Sequence, residues 1–552
     1  MKRKNIVFKA LTCGLASLAF TACTDTWETH YQPKPELNAT ETLWELIEAD
    51  PELAKFAEFA KATGYDEVLS QNRFYTVWAP VNDAEFFQGK ENIDWKTLGD
   101  SMLNVYKYEF VENHIADYNH TATGTMSEKN LVKMLNGKYN AFKGTTGNYI
   151  FKNAAVAKSN IAAKNGLLHK TADNAIFTAN IWEQLDKEAS VSLLNGFLKS
   201  YNEIRFDEYS SVEGPTIDGQ VTYLDSVITE YNKYFYRIGQ LNREDSSYTM
   251  FAPTDKAWAE AYEMAKTYFV YDEGNADRDS LQDEITKDFM VHHLVFSNTL
   301  QKSPEDSLVS YYNGIFRPEV FKGEDLEKLY ANLVETKELS NGTLNIVDSY
   351  NYRTFWHDTL RVQGESLYGD AEGAEIPEYK QAVKTQAYIS KDSIDKYYQT
   401  SNGGIGVYAP STPTGNPTLI YTIKNTLSAK YRIKLVLAPA TFVNWRDTVL
   451  LPNKFNATLS YKDLAGKKKT VEVAKNYITE PSREKLDTIT LIPANAAEGE
   501  DYFTFPVNEY NLSSQETTIT QLQIQGKVSA RESGFDRTIR VEQVFLEPVT
   551  EE

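Results

Sequence analysis

Apolar residues recur at helical spacing between Thr42 and Ala62. This spacing of three and four residues predicts an amphipathic helix that packs on a core. Asp50 and Pro51 interrupt the pattern, and because proline is tolerated in the first turn of a helix, we expect a second helix to begin there. Gly64 is placed to end it. The apolar positions are Leu43, Leu46, Ile47, Leu53, Phe56, Ala57 and Ala60.

A strand pattern follows the helical segment. Tyr75–Trp78 is aromatic and β-branched, which predicts a buried strand that stops before Pro80. Asn82 or Asp83 is placed to cap a short helix that follows. An Asn-Gly pair at 165–166 predicts a tight turn into another strand.

The motifs of this segment return later in the chain in the same order. Three matches at nearly one spacing indicate a duplicated domain. The counterparts are Tyr75 and Tyr248, His114 and His293, and Asn165 and Asn341, at spacings of 173, 179 and 176 residues.

These motifs resemble the signature of the fasciclin (FAS1) domain, which reads roughly Thr-x-Phe-Ala-Pro-x-(Asn/Asp)-x-Ala, then a His box, then Asn-Gly-x-x-His. The first copy, 40–186, carries Thr76–Ala84 and His169 at these places. The second copy, 189–366, has Asn345 where the closing histidine is expected. The resemblance implies two α+β domains, each a β-sandwich wedge with helices. It also implies adhesion or surface binding, not catalysis.

The last third of the chain has a different pattern. Between residues 377 and 552, short alternating segments are separated by turn clusters, and 463–466 predicts a hairpin turn. This spacing predicts an all-β sandwich or jelly roll. The whole chain is therefore expected to be mainly β with α. The predicted strands are 418–423, 431–437, 457–461, 470–473, 488–492, 518–524 and 538–545.

The N-terminus carries the pattern of an export signal. Residues 1–22 combine a basic start, a short apolar stretch and small residues directly before Cys23. This order resembles a bacterial lipobox, which implies lipidation of Cys23 and a membrane anchor; the alternative is an ordinary secretory signal with an incidental cysteine. The polar segment 23–39 predicts a tether. Because Asp25 and Glu28 follow the cysteine, we expect the protein at the outer membrane, facing the cell exterior.

Net charge and cysteine content limit the kinds of partner and cross-link that we expect. The formal charge of −20 becomes −24 when the four basic residues of 1–22 are removed. Such an acidic surface argues against nucleic acid as a partner. The second cysteine, Cys13, lies in the removed segment, so we expect no disulfide.

The sequence offers no catalytic or cofactor signature. It contains no His-Glu-x-x-His, Gly-x-Ser-x-Gly, phosphate-loop or dinucleotide motif, so we expect no enzyme, no cofactor and no metal. His114, His169 and His293 are expected to form hydrogen bonds in the cores. His292 and His293 are expected to point to opposite faces of a strand, which excludes one shared metal ion.

One loop of the last domain is a candidate ligand site. Trp445 lies between Asn444 and the pair Arg446 and Asp447. An aromatic face beside amide, guanidinium and carboxylate groups suits a sugar, which needs stacking and planar hydrogen bonds. Tyr408, in a glycine-rich stretch, is a second candidate. The alternative for both is an aromatic side chain packed on the sandwich.

A repeated tripeptide points to modification. Asp-(Ser/Thr)-(aliphatic or Met) resembles an O-glycosylation signal that some Gram-negative anaerobes use on exported proteins. The aspartates lie at positions 100, 225, 279, 306, 358, 392, 447 and 487.

Together these features predict a non-catalytic outer-membrane lipoprotein that binds a polysaccharide or oligosaccharide, or docks to a starch-utilisation-type nutrient transporter complex. Similar lipoproteins occur beside such transporters. The alternative is a FAS1-mediated adhesin that binds host matrix or other cells. A third hypothesis is an unrecognised hydrolase in the last domain.

Overall fold

The computed structural model describes thirteen stretches of the chain. The predicted export signal, Cys23 and residues of the tether up to 38 lie outside them. The chain divides into two compact units. The first extends to Asn180 and includes Arg243–Asp245 and Leu339–Asn341, and the second contains the remainder. The described stretches are 39–90, 93–217, 220–298, 306–314, 318–350, 360–364, 379–388, 404–423, 426–448, 450–483, 485–493, 496–506 and 520–549.

The first unit begins with the predicted interrupted helix. Thr42 and Glu45 form a capping box, in which the Glu45 carboxylate accepts from Thr42 N at 2.7 Å. Pro51 opens a 3₁₀ turn capped by Asp50, and Gly64, with φ of 78°, follows the end of the second helix. The helices are α1 (Leu43–Ala49), α2 (Ala54–Ala62), α3 (Tyr65–Ser70) and α4 (Asp100–Val105), the last continued by the π-helical turn Tyr106–Val111.

Seven strands form the sheet of this unit. They are β1 (Tyr75–Pro80), β2 (Ile115–Asp117), β3 (Leu131–Lys133), β4 (Tyr139–Thr145), β5 (Asn148–Phe151), β6 (Ala154–Ala163) and β7 (Gly166–Thr171). Their order is β2-β1-β7-β6-β5-β4-β3. β1 and β7 run parallel, and the other neighbours are antiparallel.

Strand β1 runs through Pro80, two residues farther than predicted. The neighbouring strand β2 pairs only with Tyr75, Thr76 and Val77. Proline is therefore placed where β2 requires no backbone hydrogen-bond donor, which is the position in a sheet that tolerates it.

The prediction that Asn82 or Asp83 caps the following helix is wrong. Only a 3₁₀ turn, Glu85–Phe87, forms there, and its first N–H groups donate to Asp173 and Asn174, at 2.9 and 3.1 Å. Asn82 instead reaches back along the chain: its Oδ1 accepts from Lys55 N at 2.9 Å and its Nδ2 donates to Pro51 O at 2.7 Å. It therefore caps the start of α2, an earlier helix.

The second unit also begins with three helices before its central strand, but two long strands separate the second helix from the third. The helices and strands are α5 (Ile181–Lys187), α6 (Ser192–Lys199), β8 (Asn202–Ile217), β9 (Gln220–Asn232), α7 (Lys233–Arg237), β10 (Tyr248–Pro253), α8 (Asp255–Ala265), α9 (Arg278–Val291), β11 (Val295–Ser297), β12 (Ser307–Val309), β13 (Val320–Lys322), α10 (Glu324–Ala331), β14 (Leu333–Leu339) and β15 (Gly342–Val347). β10 lies antiparallel to β11 and parallel to β15, in the sheet order β11-β10-β15-β14.

The predicted repeat is present in strand register and in capping. Tyr248 is opposite Gly342 in the second unit, as Tyr75 is opposite Gly166 in the first. Asp255 takes the place of Asn82, and its Oδ1 accepts from Leu193 N at 2.7 Å at the start of α6.

A glycine permits the parallel pair in each repeat. A Cβ at Gly166 would lie 2.0 Å from the carbonyl oxygen of Tyr75, and one at Gly342 would lie 1.8 Å from that of Tyr248. Both distances are shorter than any non-bonded contact allows, so the backbones approach this closely only at glycine.

The C-terminal region contains two antiparallel sheets. The elements of this region are β16 (Leu360–Gln363), β17 (Tyr379–Lys380), β18 (Ala382–Tyr388), β19 (Gly404–Pro410), β20 (Thr418–Ile423), β21 (Lys430–Leu437), α11 (Ala440–Val443), β22 (Lys454–Lys462), β23 (Lys468–Ile478), β24 (Asp487–Leu491), β25 (Phe503–Thr504), β26 (Thr520–Gly526) and β27 (Ile539–Pro548). One sheet has the order β18-β19-β27-β21-β24, with β16 added to β27 and β25 to β21, and the other has the order β17-β20-β26-β22-β23.

The buried faces of the two sheets meet. Tyr408 of one sheet and Tyr421 of the other both donate to the carbonyl oxygen of Gly364, at 2.6 and 3.0 Å. β22 and β26 alternate buried and half-buried residues, as the faces of a sandwich do. The expected mainly β fold with α is confirmed.

Gly342→Ala is expected to lower the free energy of unfolding of the second unit by about 1–3 kcal/mol, because the new Cβ overlaps the Tyr248 carbonyl. Gly196→Ala in α6 is the matched control: no atom lies within 4 Å of its Cβ position, and alanine raises helix stability by about 0.5–1 kcal/mol. Urea unfolding of residues 24–552 measures both. Equal effects of the two substitutions would contradict the close approach.

Candidate ligand-binding site

The Trp445 loop follows a short helix that is anchored in the C-terminal core. β21 ends at Leu437, and α11 places Phe442, which is fully buried, against Ile405 and Ala438. Thr441 Oγ1 donates to the carbonyl oxygen of Arg483 at 3.0 Å, which joins the helix to the segment between β23 and β24. The turn after α11 is therefore held from both sides.

The turn presents an indole to solvent. Asn444 Oδ1 accepts from Arg446 N at 3.3 Å, and Asp447 N donates to Asn444 O at 2.9 Å, so the amide shapes the turn. Trp445 is 48% exposed, and its carbonyl accepts from Arg483 Nη2 at 3.1 Å. The Arg446 guanidinium lies 5.2 Å from the centre of the indole ring. A cation over one face leaves the opposite face available for stacking.

A cleft opens beside this turn. Ala440 before the turn and Leu450 after it line this cleft, whereas Trp445 itself does not. The other walls come from 437–439, Leu451, Asn453, 479–482, Lys485, Asp487, Asp536 and Arg540. Leu450 and Leu451 line it and are 38% and 41% exposed. Exposed leucines at the rim of a polar cleft are typical of a surface that contacts a ligand.

Charged groups occupy the same cleft. Arg540 Nη1 donates to Asp536 Oδ2 at 2.6 Å, and Asp487 Oδ2 accepts from Glu480 N at 3.3 Å. Burial, and to a lesser degree the Glu480 carboxylate, raises the pKa of Asp487. The cleft therefore offers carboxyl groups and a guanidinium for hydrogen bonds to hydroxyl groups.

The predicted site residues differ in their exposure to solvent. Asn444, Trp445 and Arg446 are exposed and Asp447 is half-buried, all in one turn. Tyr408 is fully buried and donates to Gly364, so it belongs to the core and has no surface to offer a ligand. Its inclusion in the site is corrected.

The cleft residues were missed by sequence reasoning. They come from the segment between β23 and β24 and from the approach to β27, which are distant from Trp445 along the chain. The available signal was the apolar pair Leu450-Leu451 directly after the tryptophan loop, where a polar connection is usual.

The histidines of the first unit are structural, as expected. His114 Nδ1 donates to Phe110 O at 2.7 Å, and its Nε2 accepts from Ala175 N at 2.9 Å. His169 Nε2 donates to His120 O at 3.0 Å. Both rings are fully buried, and burial lowers the pKa of each to about 4.

The adjacent pair His292 and His293 corrects another prediction. The residues follow the end of α9, not a strand, and their rings lie with centres 4.5 Å apart. Successive side chains on a helix diverge by about 100°, so neighbouring rings can meet there. Within the described stretches, no three His, Cys, Asp or Glu residues are grouped so that they could hold a metal ion.

Five of the eight modification candidates have described hydroxyl side chains. Ser101, Ser280, Thr448 and Thr488 are exposed, and Ser307 is half-buried. The hydroxyl residues at 226, 359 and 393 lie outside the side chains that the structure describes. O-glycosylation stays a prediction.

No helix among the described residues is long and apolar enough to span a bilayer.

Comparison with known proteins assigns the first repeat. Residues 51–173 match the family model of the fasciclin domain. This stretch is a fasciclin domain. The resemblance stated for the first copy is thus confirmed, whereas no curated protein matches the chain.

Three solved structures show distant likenesses. A FAS1 domain pair from the insect cell adhesion molecule fasciclin I has 14% identity and a TM-score of 0.20, over 54% of this chain and 96% of that one. The CBM22-1 xylan-binding domain of Paenibacillus barcinonensis Xyn10C has 11% identity and a TM-score of 0.19, over 36% and 97%. The enzymatically active domain of bacteriophage CBA120 tailspike protein 4 has 9% identity and a TM-score of 0.18, over 31% and 19%. At these scores the likenesses do not bear on what this chain binds.

The buried histidines predict how the stability of the fasciclin domain depends on pH. Above pH 6.5 both rings are neutral whether the domain is folded or unfolded. Below it only the unfolded chain takes up protons, so stability falls between pH 6.5 and 4, by up to about 3 kcal/mol for each histidine.

His169→Asn, which places at 169 the residue that the second repeat has at Asn345, is expected to flatten this pH dependence. Urea unfolding of the first unit at pH 7, 5.5 and 4.5 measures it. An unchanged slope in the variant would show that His169 already binds a proton in the folded domain.

Proposed function

We propose that this protein is a non-catalytic surface lipoprotein that captures a polysaccharide or oligosaccharide at the Trp445 end of its C-terminal sheets. The observation that carries the proposal is the exposed indole beside a cleft of apolar and charged side chains. A sugar stacks its C–H face on such a ring while its hydroxyls bond to carboxylate and guanidinium groups. The acidic chain favours neutral or basic glycans.

Cys23 supplies the membrane anchor in this proposal. A lipid on the residue that follows the export signal, with a polar tether after it, holds the folded part outside the outer membrane. In that position the protein also reaches a starch-utilisation-type transporter complex, to which it docks if it delivers the glycan.

Adhesion through FAS1 domains is the second candidate function. It is favoured by the fasciclin domain at 51–173 and by the second repeat, which we propose is another such domain. The first unit also exposes large apolar side chains of the kind that contact partners: Tyr118, Leu131 and Ile176 are 65%, 57% and 56% exposed.

Trp445→Ala is expected to weaken binding of the captured polysaccharide about five- to thirtyfold, because a stacked aromatic contact contributes about 1–2 kcal/mol. The measurement is a glycan array followed by titration, with soluble residues 24–552. Trp445→Phe, which keeps a ring, should retain most of the affinity, and Tyr236→Ala, which removes a 69% exposed ring elsewhere, should retain all of it.

Unchanged glycan affinity in Trp445→Ala would show that this loop is not the binding site. Binding of a matrix protein, with no glycan bound on the array, would favour adhesion. Release of reducing ends that is lost in Asp487→Asn would make the protein a hydrolase.

Cys23→Ser is expected to abolish incorporation of alkyne-labelled palmitate and to move the protein from the membrane fraction to the soluble fraction. Cys13→Ser is the matched control, because this residue lies in the removed segment and should leave both properties unchanged. Labelling that persists in Cys23→Ser would contradict the anchor.

A further inference from the structure

A long β-ribbon interrupts the second repeat. In the first repeat only Thr63 and Gly64 separate α2 from α3. In the second, residues 200–232 separate α6 from α7, and β8 and β9 occupy most of that insertion. Strands of 16 and 13 residues span about 40–50 Å. Among the described strands, these two pair only with each other.

The base of the ribbon is fixed to the repeat. Asn232 is buried, and its Nδ2 donates to Leu198 O and to Asn202 Oδ1, both at 2.7 Å. The Lys233 ammonium lies 3.6 Å from the centre of the Tyr201 ring. The ribbon therefore leaves the domain from a defined position.

One face of the ribbon presents apolar side chains to solvent. Ile204 and Phe206 are 73% and 47% exposed, and they share a face because they are two residues apart on one strand. Tyr231 of the partner strand is opposite Glu203 and beneath Arg205, so its 40% exposed ring lies on the other face of the ribbon. A lone two-stranded ribbon is marginally stable in water, so exposed apolar groups on it indicate a surface that another molecule covers.

The charge of the ribbon selects the kind of partner. Its only basic residue, Arg205, is paired with Glu203 at 2.6 Å and lies over the Tyr231 ring at 3.5 Å. A second copy of this chain would bring two acidic ribbons together and is disfavoured by repulsion. The acidic residues of 202–232 are Glu203, Asp207, Glu208, Glu213, Asp218, Asp225 and Glu230.

We propose that the β8–β9 ribbon is a docking arm for a protein partner whose contact surface holds an apolar groove for Ile204 and Phe206, bordered by lysine or arginine. Burial of the two side chains supplies affinity, and the surrounding carboxylates supply orientation and a rapid encounter. This proposal does not rest on glycan capture, because the docking arm (202–232) and the Trp445 turn (444–447) have no residue in common.

The test places a photo-crosslinking amino acid at position 206 of the full-length chain in the cells that produce it. Position 383 is the control, because Val383 is 57% exposed but lies on β18. The expected result is one protein cross-linked from position 206 and not from 383, through a peptide that contains lysine or arginine.

Two variants then examine the purified pair. Ile204→Asp with Phe206→Asp should weaken the complex at least about tenfold, and raising the salt concentration from 0.05 to 0.5 M should weaken it further, because the charges around the arm become screened. Trp445→Ala should leave the complex intact, so failure of the glycan site and failure of the arm are distinguishable.

Cross-linking to a second copy of this chain, to another part of the same chain, or to no protein above the level at position 383 would overturn the proposal. So would a complex that is insensitive to the paired substitution.

Discussion

The parallel pairing of one strand with the strand that follows an Asn-Gly turn is the constraint on which both repeats depend. In the first repeat, Asn165 Oδ1 accepts from Leu43 N at the start of α1, and its Nδ2 donates to Leu69 O and Gln71 O at the C-terminal end of α3. Gly166 then lets the strand lie against Tyr75. One buried amide thus fixes two helices to the central strand pair, since each unpaired backbone group that it satisfies would otherwise cost about 1–3 kcal/mol.

The same arrangement explains the spacing of the motif around the central strand. Asn82 and Asp255 stand two residues after the proline, where the chain leaves the sheet beside the preceding helix, and each caps that helix. In the sequence, Asn82 stands directly before a helical pattern and therefore resembles an N-cap of the helix that follows, although its contact is with the helix before it. Local propensity predicted the existence of the cap but assigned it to the wrong helix, because the contact is set by the tertiary fold.

The periodicity of apolar residues therefore predicted the helices and strands well, but it predicted the tertiary contacts between them poorly. The interrupted helix, the repeat and the β-rich last third follow from spacings that any chain of this pattern must bury. Three features depend on which faces pack, and no local pattern encodes that. They are the buried position of Tyr408, the contact of His292 with His293 and the contribution of 479–482 to the cleft. The sequence allowed two positions for the Trp445 ring, exposed on the loop or packed on the sandwich, and only the tertiary fold shows that it is 48% exposed.

The proposed glycan capture depends on the Trp445 turn and on the cleft that Ala440 and Leu450 line on either side of it. Hydrogen–deuterium exchange of residues 24–552, with and without a polysaccharide that the protein binds, tests it most directly. If the polysaccharide binds there, exchange slows in 440–448 and 479–483 and stays unchanged in the fasciclin domain at 51–173. Protection confined to 51–173 would contradict it and would assign the binding to the fasciclin domain.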